Sequence, residues 1–156
     1  MFPEKFKIVQ ALRPATDAAE REGAVVSLKN ATRAWIVAHI TQGDANTVAL
    51  SVRQCQHVNN VGIKPLDNVI PVWANQDAVN TDTLTRQTDA VNFTTSAAVR
   101  NKMVVFQVDP ASLDTANSYD CITITTGASN AGNLTSAVYY LDMRFQEDIP
   151  PSVIVN

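Results

Sequence analysis

Residues 34–56 read AWIVAHITQGDANTVALSVRQCQ, and this stretch decides the class of fold. Two runs rich in β-branched residues, 34–41 and 47–56, flank a short polar segment that contains Gly43. Such runs are typical of β-strands, and a polar loop of about five residues between them predicts a β-hairpin. We expect this hairpin to lie at the centre of a β-sandwich.

The first of these runs has two apolar faces, because successive side chains of a strand point to opposite sides of the sheet. Ile36 and Ile40 share one face, and Trp35 and Val37 share the other. The second run has one apolar and one polar face, which is the usual arrangement in an antiparallel sheet. A strand with two apolar faces is expected in the middle of a sheet.

Further short apolar runs are separated by turn-rich loops along the rest of the chain, and no internal repeat is present. The total is seven or eight short strands, which predicts an all-β, single-domain antiparallel β-sandwich of jelly-roll-like form. The additional strands are expected at residues 24–28, 68–73, 102–108, 119–126 and 134–145.

The 156 residues suit one domain with two extended ends. Residues 1–23 are interpreted as an N-terminal arm with a short helical turn at 16–22. The β-sandwich domain follows at 24–145. Residues 146–156 are interpreted as an extended C-terminal tail, because consecutive prolines stiffen the chain and exclude a helix.

Two surface segments are predicted to contact partners. Residues 74–92 form a long polar excursion, and a connection of this length in a compact domain is usually functional or disordered. The end of the tail is β-prone, and it is expected either to fold back on its own sheet or to add to the sheet of a neighbour. The predicted contact residues are Asp77, Asn80, Asp82, Arg86, Val153, Ile154 and Val155.

Composition and charge narrow the class of partner. Charged residues make up 17% of the chain, below the usual level of about 25%, and the net charge is −3. Without a basic cluster, nucleic acid is not expected as a partner. No apolar run approaches the roughly 20 residues of a membrane span. The N-terminus lacks a secretory signal pattern, so synthesis in a cytoplasm is expected.

The sequence carries no recognisable catalytic or cofactor motif, and we expect neither an enzyme nor a bound cofactor or metal. His39 and His57 have no metal ligands at suitable spacing. A nucleophile elbow and a phosphate-binding loop are both absent from the sequence. Cys55 and Cys121 are expected to be free, buried thiols, although a disulfide between two strands stays open as an alternative.

Three segments carry a resemblance to a known group of proteins. They read AVVSLKNATRAWIVAHITQG, PVWANQDAVNTDTLTRQTDA and VVFQVDPASLDTANSYDCITITTGASNAGNLTSAVYYL. From about Ala24 to Leu141 the chain resembles small structural proteins encoded in the head-gene region of tailed bacteriophages. No site residues carry over, because these proteins have no active-site motif.

The resemblance implies a capsid decoration or cement protein with a β-sandwich or β-barrel fold. It also implies that the partners are the major capsid protein and further copies of this chain, with which the protein forms a homo-oligomer. The implied location is the exterior of the capsid in the virion, after synthesis in the cytoplasm of the host bacterium.

Two alternatives stay open at the level of sequence. One is a structural component of a phage tail or neck. The other is a carbohydrate-binding β-sandwich module that uses aromatic rings as stacking platforms, although aromatic residues more often pack in cores or interfaces. The rings that would serve this purpose are Trp35, Trp73, Tyr139 and Tyr140.

Overall fold

The computed structural model describes residues 2–146, 149 and 151–155. The described chain forms two antiparallel sheets that pack face to face, which confirms the predicted β-sandwich. The strands are β1 (Phe6–Thr16), β2 (Arg21–Glu22), β3 (Val26–Ser27), β4 (Ala31–Gln42), β5 (Ala49–Cys55), β6 (Lys64–Pro65), β7 (Val72–Asn75), β8 (Thr85–Arg86), β9 (Asn92–Thr94), β10 (Asn101–Val108), β11 (Cys121–Thr126) and β12 (Asn133–Met143). The helical segments are α1 (Phe2–Lys5) and two 3-10 turns, Pro110–Ser112 and Thr115–Asn117.

These twelve strands of the described chain exceed the seven or eight that were predicted. The excess comes mainly from pairings of only two residues, such as β2, β6 and β8. Segments this short have no measurable alternation of apolar and polar residues, so the sequence pattern does not reveal them.

The order of the strands is that of a jelly roll. The first sheet runs β1-β12-β4-β10-β7-β8, and the second runs β2-β11-β5-β6, with β3 also on β11 and β9 also on β5. Strand pairs are nested, because β1 pairs with β12, β3 with β11, β4 with β10 and β5 with β9. The chain is therefore one long antiparallel ribbon folded over on itself, which is the jelly-roll-like form that was predicted.

The predicted hairpin between β4 and β5 is wrong. Strand β4 lies in the first sheet and β5 in the second, so the connection crosses between sheets. Its residues are bonded to the start of β12 and to the residue before it: Gly43 N donates to Gly132 O at 3.2 Å, and Asp44 N donates to Asn133 Oδ1 at 2.8 Å. A short polar link between two strands has the same local sequence in both arrangements, and these long-range bonds distinguish them.

The N-terminal segment belongs largely to the sandwich. Residues 6–16, which were assigned to an arm, form β1 and pair with β12 along the edge of the first sheet. The helical turn lies at Phe2–Lys5 and not at residues 16–22, where β2 begins at Arg21. β1 continues to Thr16, Asp17 N donates to Asn133 O, and Arg21 and Glu22 pair with β11, so long-range bonds replace the local bonds of a helical turn.

The core lies between the sheets and has strand β4 at its middle. Ile36 and Ile40 of β4 are fully buried, as are Phe106 of β10 and Ile124 of β11. Burying such side chains stabilises the fold by roughly 1.5–3 kcal/mol each. The side chains on the inner face of the first sheet therefore form the hydrophobic core and are not accessible to a partner.

Tyr139 joins the two sheets through its hydroxyl group. The hydroxyl accepts a hydrogen bond from Ile124 N at 3.1 Å and donates one to Ala24 O at 2.9 Å. It fills the gap on β11 between its pairings with β2 and β3. This residue is fully buried, and burial raises the pKa of its hydroxyl.

Replacing Tyr139 with phenylalanine is expected to cost about 1–3 kcal/mol of unfolding free energy, because Ile124 N would lose its partner in a buried place. Urea denaturation measures the difference. Tyr140→Phe is the matched control, since that ring lies on the outer face of the same strand and its variant should match the native protein. Equal stability of the two variants would contradict the assigned role of the hydroxyl.

Cys55 and Cys121 lie opposite one another on β5 and β11, and both are free and buried, as predicted. Burial raises the pKa of Cys55 to about 11, and it also raises the pKa of Cys121. Since the thiolate is the reactive form, neither thiol is poised for chemistry.

At pH 8, the native thiols should therefore react with a disulfide reagent about 100-fold or more slowly than the unfolded chain, whose cysteine pKa is about 8.5. Absorbance of the released thiol measures both rates. Comparable reaction rates in buffer and in urea would contradict the raised thiol pKa values.

The raised pKa of Cys55 also links stability to pH. Its contribution to the free energy of unfolding is complete below about pH 8.5 and is lost as pH rises through the folded pKa.

Candidate functional site

The outward side chains of the first sheet form an apolar surface, which no other sheet of the described chain covers. Strand register places Val37, Val105 and Trp73 in one row across β4, β10 and β7. Trp35 and Tyr140 lie side by side in the next row, on β4 and β12. All of these side chains are only half-buried. The second apolar face of β4, predicted from sequence, thus points away from the core.

Two shallow depressions lie on this surface and share Trp35 and Val105 as lining residues. Their volumes are about 350 and 340 Å³. Gln107 contributes a polar side chain to the second depression. We call this surface the aromatic platform, and it consists of Phe2, Phe6, Trp35, Val37, Trp73, Leu84, Val105 and Tyr140.

The N-terminal segment builds one end of the aromatic platform. The rings of Phe2 and Phe6 stack with centroids 4.8 Å apart. Phe6 lies 6.0 Å from the ring of Trp35, and Phe2 lies 6.0 Å from that of Tyr140. Aromatic pairs at these separations hold each other in place. The platform is therefore preorganised at this end, while Phe2 stays 52% exposed.

Charged groups border the platform as neutral pairs. Arg33 is bonded to Asp109 at 2.8 Å, and its guanidinium lies 5.8 Å from the ring of Trp35. Lys5 is paired with Asp142 at 3.2 Å on the side of β1. Each pair cancels its own charge, so this part of the border carries little net field. An apolar centre with a polar, solvated border is the usual anatomy of a protein–protein interface.

Of the predicted contact residues of the excursion, Arg86 lies beside the platform. Arg86 is paired with Asp89, and its guanidinium lies 4.8 Å from the ring of Trp73. Asp77 accepts hydrogen bonds from Asn80, and these hold the pKa of Asp77 below its usual value. Asp82 is exposed. The role of these residues in binding stays a prediction.

The predicted contact residues of the tail lie elsewhere. Val153 is buried in the chain's own core, and its carbonyl accepts a hydrogen bond from Ser27 N of β3 at 2.8 Å. Ile154 and Val155 are exposed beside it. The tail therefore folds back on its own sheet, at the edge of the sandwich that carries β1 and β3. The excursion contains β8, which lies at the opposite edge of the first sheet.

Sequence reasoning identified only part of the aromatic platform. Trp35, Trp73 and Tyr140 were named as candidate stacking rings, and the structure brings all three to one face. Tyr139 was named wrongly, because adjacent residues of a strand face opposite ways and its side is the core. Phe6 and Val105 were missed. The apolar residues on both faces of β4 were the sequence feature that could have predicted an apolar outer surface on this sheet.

Within the residues that the structure describes, no group of three or more His, Cys, Asp or Glu side chains is arranged to hold a metal ion. None of the helices in the same residues has the length and apolar character needed to cross a membrane.

Comparison with known proteins gives similarities of backbone course only. No protein-family model and no curated protein sequence matches the chain. The SPBc2 prophage-derived protein YomS has a TM-score of 0.49 at 9% identity, over 87% of this chain and 92% of that chain. A chain of the Triatoma virus empty capsid has a TM-score of 0.37 at 13% identity, over 99% and 97%. A structure described as CBM4 has a TM-score of 0.33 at 12% identity, over 88% and 68%.

Two of these three similar structures are of prophage or viral origin. With TM-scores below 0.5, they carry no argument about function, which has to come from the surface of this chain.

The outer and inner faces of β10 should respond differently to the same substitution. Val104→Ala is expected to cost about 2 kcal/mol or more, because Val104 is buried between the sheets and its truncation leaves a cavity. Val105→Ala should cost less than about 1 kcal/mol, because Val105 faces the open platform. Chemical denaturation of the two variants provides the comparison. Equal losses would mean that the platform serves folding and is not a free surface.

Proposed function

We propose that the protein is a structural component of the virion of a tailed bacteriophage, and that it acts as a decoration or cement protein. In this role it binds the outer surface of the capsid through the aromatic platform and stabilises the shell. The platform is the observation on which the proposal chiefly depends.

The composition of the platform favours a protein surface as its ligand. Soluble monomers rarely expose a contiguous apolar patch of large size without a function. Tryptophan, tyrosine and phenylalanine are enriched in protein interfaces, and a few such rings at the centre of a contact provide most of its binding energy. Trp35 lies at the centre of this platform, where the two depressions meet.

Charge supports the outer surface of the shell over its inner surface. The chain has a net charge of −3, which is unfavourable next to packaged nucleic acid. The neutral ion pairs at the border of the platform suit contact with a large surface of mixed charge, and they add little long-range attraction of either sign. Affinity would then come mainly from apolar burial, and it should depend weakly on salt.

Trp35→Ala should weaken binding to phage heads by roughly 30-fold or more, because loss of a central aromatic side chain typically costs at least about 2 kcal/mol. The measurement is co-sedimentation with heads of the encoding phage from which this protein has been stripped. Leu134→Ala is the control, since Leu134 is an exposed apolar residue on the same face of the first sheet but outside the platform.

Two results would contradict the proposal. One is binding of the Trp35 variant with native affinity, once its folding has been checked by circular dichroism. The other is a copy number in purified virions of only a handful per particle, since a cement protein has to cover the lattice.

A carbohydrate ligand is the second candidate, and the shared face of Trp35, Trp73 and Tyr140 is the observation in its favour. Sugars stack on aromatic rings, but their hydroxyl groups also need polar partners at the site. Gln107 is the polar residue that lines the second depression, and the first is lined by apolar and aromatic side chains. A glycan array separates the two candidates: binding there, with no binding to heads, would favour this one.

A further inference from the structure

A buried lysine contacts an exposed serine at one end of the sandwich. Lys102, at the start of β10, is fully buried, and its Nζ donates a hydrogen bond to Ser96 Oγ at 3.1 Å. The same Nζ donates to Ser96 O at 2.5 Å and to Gln42 Oε1 at 2.9 Å. These acceptors are neutral, so they hold the proton of the ammonium group less firmly than a carboxylate would.

The segment that carries Ser96 is held in position by further hydrogen bonds. Gln42 Nε2 donates to Ser96 O at 2.9 Å, and Gln42 Oε1 accepts from the hydroxyl group of Thr95 at 2.8 Å. Thr95 is bonded to Val48 through both its N–H and its hydroxyl group. Ser96 itself is exposed. Ser96 can thus be reached from solvent, while the amine beside it is enclosed in the protein.

The protonation state of Lys102 decides what this pair can do. Burial lowers the pKa of the Lys102 amine, and the positive charge of Arg100 lowers it further. Arg100 is itself paired with Asp77. When the amine is neutral, the bond to Ser96 can reverse, so that the hydroxyl group donates and Nζ accepts. A hydroxyl group that donates to a base is an activated nucleophile, and serine–lysine pairs are one recurring form of this arrangement.

A cavity of about 340 Å³ adjoins the pair. Gln76 lines this cavity, and its Oε1 accepts hydrogen bonds from Ser96 N and Ser96 Oγ, both at 3.3 Å. Bonds of this length are weak, and a ligand can replace them. In the described chain the N–H of Ala97 has no backbone acceptor. The N–H groups of Ser96 and Ala97 are therefore available to stabilise a negative oxygen that develops next to the nucleophile.

The lining of the cavity indicates the kind of molecule that fits it. Thr83, Thr85 and Gln87 are alternate residues at β8, which places their side chains on one side of the strand. Asp77, the charged residue of the described lining, is paired with Arg100. Hydroxyl and amide groups both donate and accept hydrogen bonds without adding charge. The cavity therefore suits a small, neutral, polar molecule.

We propose that Ser96 is a nucleophile that takes an acyl group from a small neutral ester, with Lys102 as its general base. Ser96 Oγ attacks the carbonyl carbon, and Lys102 Nζ takes the hydroxyl proton. The bond between that carbon and the alcohol oxygen then breaks, and the alcohol leaves with the proton from Nζ. The acyl group stays on Ser96 until water removes it by the same route. This activity does not use the aromatic platform, and it does not depend on the proposed binding to phage heads.

The test uses the purified protein and p-nitrophenyl acetate, a small neutral ester. Peptide mass spectrometry locates the acetyl group, and its accumulation gives the rate. We expect acetylation of Ser96, at a rate that rises with pH and has its midpoint below the pKa of an exposed lysine, about 10.4. Ser96→Ala should abolish this adduct. Lys102→Met should slow acetylation of Ser96 about 100-fold or more, because a general base contributes roughly that factor or more.

Thr94→Ala is the matched control, because it removes an exposed hydroxyl group two residues away and should leave acetylation of Ser96 unchanged. Circular dichroism checks the folding of the Lys102 variant, and the pH profile of the native protein tests the base even if that variant does not fold. The proposal is overturned by the absence of acetyl-Ser96 throughout the neutral and alkaline range, by a midpoint at or above about 10.4, or by native reactivity in folded Lys102→Met. None of these results bears on head binding, which is measured separately.

Discussion

The two apolar faces of strand β4 are the constraint on which the rest of the structure depends. Its inner face, with Ile36 and Ile40, is buried by the second sheet. To bury it, the chain places β4 between β12 and β10, and the nested pairings follow from that position. Within the described part of the chain, no second sheet covers the outer face, and the rings of Phe2 and Phe6 cover only part of it. One strand therefore builds both the core and the surface that is left for a partner.

The core, the outer face and the edges of the sandwich have different residue types because each has a different role. Apolar side chains between the sheets provide stability, and Tyr139 supplies a polar link in a place where two short strands leave a gap. Aromatic rings on the outer face provide a large contact area at a low cost in conformational entropy, since such side chains have few rotatable bonds. The sheet edge at β3 receives the tail. The core thus provides stability, the outer face provides contact area, and the edge at β3 holds the tail.

Local patterns were sufficient to predict the class of fold and most of the long strands, because alternation is recorded within a few residues. They were not sufficient to predict which strands are partners. The link at Gly43 looks like a hairpin turn, and only its bonds to Gly132 and the following residue reveal a crossing between sheets. The aromatic platform could not be predicted for the same reason. Trp35 and Trp73 are distant in sequence, and they share a surface only because β10 lies between their strands.

The pairing of the first long strand with the last has a consequence for how the protein is made. Phe6 leaves the ribosome long before its partner Asp142, because more than a hundred residues separate the two in sequence. The edge of the first sheet cannot close until β12 has been synthesised, and contacts between residues so far apart in sequence form slowly. During that interval the apolar side chains of β1 are exposed in the nascent chain, which is the period when a chaperone has most to protect.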